Sequence, residues 1–243
     1  MRGALVKKFV VAAAAIAAFG FVNSANAADM PVKAPLAARV AAPAYNWTGL
    51  YVGGVVGYGW AKGIHCGPFA VGCLPETDPK GWNGGVTLGY NYQWTDWVFG
   101  VEGDWSWADM RASSSGVPGL FFCPNDSCVT KIKSFETARA RVGWAFDRFL
   151  PYVTAGAAWT QLDAAFVGSP ASGSTTKTSF VVGGGVEYAF WQNVSAKVEY
   201  LYISRLGDFT YDTTGFCGTP GCFVHMGAVN EVRLGLNWRF THL

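Results

Sequence analysis

Between Val229 and Phe240 apolar and polar side chains alternate. Val232, Leu234, Leu236, Trp238 and Phe240 share one parity; Glu231, Arg233, Gly235, Asn237 and Arg239 share the other. Successive side chains of a strand point to opposite faces, so this segment has one apolar face and one charged face. The apolar face ends in aromatics, and the polar face carries full charges of both signs. A strand with lipid on one side and a polar lumen on the other has this pattern.

Seven upstream segments repeat it. Trp47 to Ala61 puts Leu50, Val52, Val56, Tyr58 and Trp60 on one face and Gly49, Tyr51, Gly53, Gly57 and Gly59 on the other. Trp82 to Trp94 turns Trp82, Val86, Leu88, Tyr90, Tyr92 and Trp94 outward and Asn83, Thr87, Asn91 and Gln93 inward. After Thr95–Asp96, the next strand starts at Trp97, with Phe99, Val101, Trp105 and Trp107 outward and Glu102, Asp104 and Ser106 inward. Lys131 to Phe146 carries Arg139 and Arg141 on its inner face. Leu150 to Asp163 alternates least clearly. Thr178 to Phe190 places Glu187 inward, and Val194 to Leu206 places Ser195, Lys197 and Glu199 inward.

These eight segments predict an all-β fold, an eight-stranded antiparallel transmembrane β-barrel. An even count suits a closed barrel. Connections after the second, fourth and sixth strands take two or three residues; those after the first, third, fifth and seventh are long and rich in Gly, Pro, Ser and Cys. Short periplasmic turns and long extracellular loops are the outer-membrane arrangement. A soluble barrel with a ligand cavity would put apolar residues inside; here the charges take the parity opposite the tryptophans. Aromatics gather at both ends. Trp94, Trp97, Trp144, Phe146, Phe190, Trp191, Trp238 and Phe240 fall at the turn end, and Trp60, Trp82, Trp105, Trp107, Trp159 and Phe180 at the loop end. Two such belts mark two lipid–water boundaries.

Composition agrees. Of 243 residues, 51% are hydrophobic and 16% aromatic, with 31 Gly and only 14% charged. Beyond residue 22 no apolar run approaches the roughly 20 residues of a membrane helix. A net charge of +2 gives no reason to expect a nucleic-acid partner. Residues 1–27 read as a signal peptide: Arg2, Lys7 and Lys8 are the basic region, Phe9 to Val22 the short apolar core, and Ala25–Asn26–Ala27 the cleavage site. Residues 28–46, rich in Ala and Pro, read as an extended segment, and 47–243 as the barrel.

The expected inner face holds five acids, Glu102, Asp104, Glu187, Glu199 and Glu231, and five bases, Arg139, Arg141, Lys197, Arg233 and Arg239. An eight-stranded interior is just wide enough for side chains, so the balance points to a salt-bridged plug. An ion path along the same residues is the alternative. Six cysteines fall in three loop pairs, Cys66/Cys73, Cys123/Cys128 and Cys217/Cys222. Export to an oxidising compartment favours disulfides, with local pairing chosen among fifteen connectivities. A metal site would need His65 or His225 and lacks zinc-finger spacing. Those two histidines, placed in or beside loops, could also ligate haem. No G-x-S-x-G is present, and no catalytic, cofactor-binding or metal residue is assigned.

Several segments together resemble a known family. They are Trp47–Gly54, Gly89–Gln93, Phe99–Asp104, Arg139–Gly143, Gly183–Tyr188, Lys197–Tyr200 and Arg233–Phe240. The set is similar to the small α-proteobacterial outer-membrane surface antigens of the porin-like superfamily, related in architecture to the OmpA transmembrane domain. The resemblance implies a non-enzymatic surface barrel of the cell outer membrane that contributes to envelope integrity. Some members are proposed as narrow porins or haem binders. It also implies outer-membrane lipid and lipopolysaccharide as surroundings, and the barrel-assembly machinery as a partner in biogenesis. That machinery reads a terminal aromatic, here Trp238 and Phe240, but Thr241, His242 and Leu243 follow.

Overall fold

Alternation with period two produces strands throughout. The computed structural model describes residues 45–66, 78–114, 128–166, 172–211 and 222–240. The strands are β1 (Gly49–Cys66), β2 (Lys80–Trp94), β3 (Trp97–Ser114), β4 (Cys128–Trp144), β5 (Phe149–Phe166), β6 (Ser172–Ala189), β7 (Val194–Ile203), β8 (Gly207–Thr210) and β9 (Phe223–Arg239). All neighbours pair antiparallel, and β1 also pairs with β9, which closes the ring. Both β7 and β8 lie along β9, the first opposite Val229–Trp238 and the second opposite Phe223–Met226. They share one of the ring's eight positions. The seventh strand, expected to run through to Leu206, is thus interrupted over Ser204–Leu206, and Gly207 follows with φ +78°.

At the turn end the bounds match the alternation to within two residues. At the loop end every expected strand but the seventh runs on: β1 to Cys66, β3 to Ser114, and β9 from Phe223 rather than Val229. Bulges explain much of the difference. Ala61 faces Val229 but Gly63 faces Met226, so β9 spends one extra residue there. Inward positions in β9 switch from odd numbers below the bulge to even numbers above it, Val224 and Met226. In β4, Ser134 and Phe135 are both buried at a similar shift. A bulge inserts an unpaired residue, so a strict period-two reading breaks there.

Between the two aromatic belts outward side chains are mostly apolar, and ten of the eleven tryptophans are exposed. Trp97 and Trp107 of β3 stand ten positions apart, matching the about 9–11 residues a strand needs to cross a bilayer. The strand ends at the loop side therefore project beyond the apolar band.

Inward side chains fall into three tiers, where a uniformly polar inner face was expected. At the turn end Tyr45 and Trp47 pack with Val98, Ala145, Leu150 and Ala189. The middle tier is charged. The loop-end tier is apolar and includes Met110, Ile132, Phe135, Leu162, Val181, Leu201, Ile203, Val224 and Met226. Residues 1–27 and most of 28–46 lie outside the described residues.

Candidate functional site

The middle tier is assembled by register. Glu102 of β3 faces Arg139 of β4, Glu187 of β6 faces Lys197 of β7, and Glu199 of β7 faces Arg233 of β9. Arg139 donates to Glu102, to Asp104 Oδ2 at 2.9 Å, to Glu199 Oε1 at 3.0 Å and to Thr137 Oγ1 at 2.9 Å. Arg233 donates to Glu199 Oε2 at 2.6 Å and, as a fork, to both oxygens of Asp104 at 3.1 and 3.2 Å. Arg141 reaches Glu187 Oε2 at 2.7 Å and lies over the Tyr152 ring, 4.1 Å from its centroid. Lys197 Nζ donates to Glu102 Oε2 at 2.7 Å. Four acids and four bases thus join in one ion-paired cluster with side chains 0–3% exposed. Buried charges are tolerated when each is paired and its remaining hydrogen-bond positions are filled.

Neutral groups fill those positions. Tyr51 OH donates to Glu102 at 2.8 Å, Tyr152 OH to Glu199 at 3.1 Å, Thr137 to Asp104 at 2.5 Å, and Ser195 to Glu187 at 2.5 Å. Asn237 Nδ2 donates to Glu187 at 2.8 Å. Tyr51, Ser195 and Asn237 carry the inner parity in the sequence. Nothing short of the register shows which carboxylate each serves. Space for Arg233 comes from Gly57: a Cβ there would stand 2.9 Å from Arg233 Cβ and 2.9 Å from Asn83 Oδ1.

Two of the ten expected charges stand apart. Glu231 is buried, makes no ion pair among the described residues, and leaves Oε1 without a hydrogen-bond partner. Arg239 sits at the turn end, donates to Gln192 O at 2.9 Å and lies over the Tyr45 ring, 4.3 Å from its centroid. Tyr45 and Trp47 are held there by the turns. Tyr45 N donates to Asp147 Oδ1 at 2.8 Å and Trp47 Nε1 to Asp147 O at 2.9 Å. The alternation offers no sign of this role, because both residues precede β1.

Cys66, Cys128 and Cys222 are disulfide-bonded; Cys73, Cys123 and Cys217 lie outside the described residues. His65, expected in or beside a loop, lies in β1 and is fully buried, with Nε2 2.7 Å from Thr130 Oγ1. His225, in β9, pairs with Asp208. Trp238 and Phe240 are exposed on the outer face.

The sequence matches the outer membrane protein β-barrel domain family over residues 14–240. It is 35% identical to the 31 kDa outer-membrane immunogenic protein of Brucella melitensis, over 93% of this chain and 98% of that protein. It is 31% identical to the 25 kDa outer-membrane immunogenic protein of Brucella abortus, over 97% of this chain and 99% of that one. Among solved structures, the outer membrane protein OprG of Pseudomonas aeruginosa shares the fold, with a TM-score of 0.53 at 12% identity over 80% of this chain and 98% of that one. Lipid-facing apolar strands, an inward charged tier and these likenesses agree: the chain belongs to the outer membrane protein β-barrel domain family and is a protein of the cell outer membrane.

Proposed function

We propose that this barrel is a structural surface protein that contributes to envelope integrity and does not conduct. The observation that carries the reading is the ion-paired cluster of Glu102, Asp104, Glu187 and Glu199 with Arg139, Arg141, Lys197 and Arg233, almost wholly shielded from solvent. An eight-stranded interior has little space beyond its side chains. Apolar tiers above and below the cluster support closure. The reading assigns no catalysis, since these carboxylates are engaged with bases.

A narrow diffusion pore is the second reading. It is favoured by one observation: Asn83, Thr87, Asn91 and Ser106 on β2 and β3, with Glu231 and Asn237 on β9, leave buried polar atoms without protein partners. Such atoms call for water. Single-channel recording of the intact protein in planar bilayers separates the two. Near-zero conductance is expected; a steady, ion-selective current would reject the closed barrel.

A further inference from the structure

Glu231 lies inward on β9, one inward step toward the loop end from Arg233. It is 2% exposed and makes no ion pair among the described residues. The neighbouring cluster has no base to spare for it. Its four acids and four bases balance, and the charges that act on Glu231 are Arg233 and Arg139 against Asp104 and Glu199. Arg233 directs its guanidinium to Glu199 and Asp104. Arg239, the other charge outside the cluster, lies eight residues along β9, about 27 Å away at 3.4 Å per residue. A buried carboxylate without a counter-charge is costly.

Neutral oxygens face Glu231 instead. A Cβ on Gly57 of β1 would stand 2.9 Å from Asn83 Oδ1 and 3.0 Å from Glu231 Oε1, so these two oxygens converge over the glycine from β2 and β9. Ser106 of β3 leans over Gly85, the next inward position on β2 after Asn83; a Cβ there would stand 2.5 Å from Ser106 Oγ. All three oxygens are buried without hydrogen-bond partners in the protein. Met110 Sδ stands over Gly59, 2.9 Å from where its Cβ would be, and closes the place toward the loop end. Turning the Asn83 amide would give Glu231 one donor and still leave its charge uncompensated.

We propose that Glu231, Asn83 and Ser106 hold a monovalent alkali cation, sodium or potassium, inside the barrel. Hard cations take oxygen ligands, and carbonyl oxygens can replace an alkali ion's hydration shell. A divalent ion calls for more than one carboxylate. Among the described residues no three Asp, Glu, His or Cys side chains gather to hold one. One carboxylate with an amide and a hydroxyl oxygen matches a single positive charge. That charge brings the cluster and Glu231 together to neutrality. The inference is independent of whether the barrel conducts.

The test uses the full chain folded in neutral detergent micelles and unfolded by urea at rising concentrations of NaCl or KCl. N-methylglucamine chloride keeps the ionic strength constant, so screening of surface charge does not change. Above the ion's dissociation constant, the unfolding equilibrium constant of the wild type falls about tenfold for each tenfold rise in Na+ or K+. Glu231→Gln keeps the side-chain shape, removes the charge and abolishes the response. Asp109→Asn, at an exposed acid, keeps it. If Glu231→Gln does not fold, Asn83→Ala decides: losing one charge-assisted contact moves the response to about tenfold higher cation concentration. A flat wild-type response, as expected if Glu231 holds a proton in the cation's place, overturns the proposal. So does an equal response in the wild type and in either lumen variant, which would put the ion elsewhere.

Discussion

Glu102 gathers three strands onto one carboxylate. It accepts from Tyr51 of β1, Arg139 of β4 and Lys197 of β7, with Arg233 at 3.6 Å and Arg141 at 3.7 Å. Changing Glu102 to Gln removes one of the cluster's four negative charges, the one that lies within reach of all four bases. Breaking a buried pair in this way costs roughly 3–5 kcal/mol, less where water enters. Val101, its neighbour in β3, is 62% exposed on the outer face. Val101→Ala leaves a gap that lipid fills, so its cost falls below about 1.5 kcal/mol, under the usual range for a buried apolar truncation. Denaturant unfolding in detergent or bilayers should show the larger loss for Glu102→Gln; equal losses would mean that the cluster does not hold the barrel together. At this scale the inward parity of all ten charges was legible in the sequence. Their partnering was not, because Glu231 and Arg239 obey the same alternation and yet stand outside the cluster.

Strand ends depend on more than alternation. The bulges in β3, β4 and β9 shift the register near the loop end, where the inner face turns apolar. Near and beyond the bulges the inner face is apolar and the outer face largely polar, the reverse of the pattern below, which is why the readings stopped at Ala61, Asp163 and Val229. Three bonded cysteines cluster at these same ends: Cys66 closes β1, Cys128 opens β4, and Cys222 precedes β9. Non-reducing peptide mapping should find Cys66 linked to Cys73, Cys123 to Cys128 and Cys217 to Cys222; links between loops would overturn that pairing. Strand hydrogen bonds supply the fold, so reduction should leave the β-signal in circular dichroism largely unchanged while making the loops more accessible to protease.

At the scale of the whole molecule, the barrel follows from export. Backbone groups crossing a bilayer must be paired, and a closed ring of strands does this without an edge. The basic start, short apolar core and Ala25–Asn26–Ala27 predict that the protein extracted from membranes begins at Ala28. Mass spectrometry of the intact protein reads this directly, and retention of Met1 would end the signal-peptide reading. The segment just before the barrel has a second role. Tyr45 and Trp47 fold into the turn end and anchor on Asp147, so this stretch is a cap at its C-terminal limit rather than a linker throughout.

Lipid on one side of a strand and packed polar groups on the other impose a rule on every second residue. Fold class, the two aromatic belts, the turn positions and the outer-membrane setting were therefore determined by sequence alone. The partners of Arg139, Arg141, Lys197 and Arg233, the apolar loop-end tier, the interruption between β7 and β8, and the convergence of Glu231 and Asn83 over Gly57 were decided by the tertiary structure. Each depends on register between strands distant in sequence, and register is set only when the ring closes and all inner faces compete for the same narrow space.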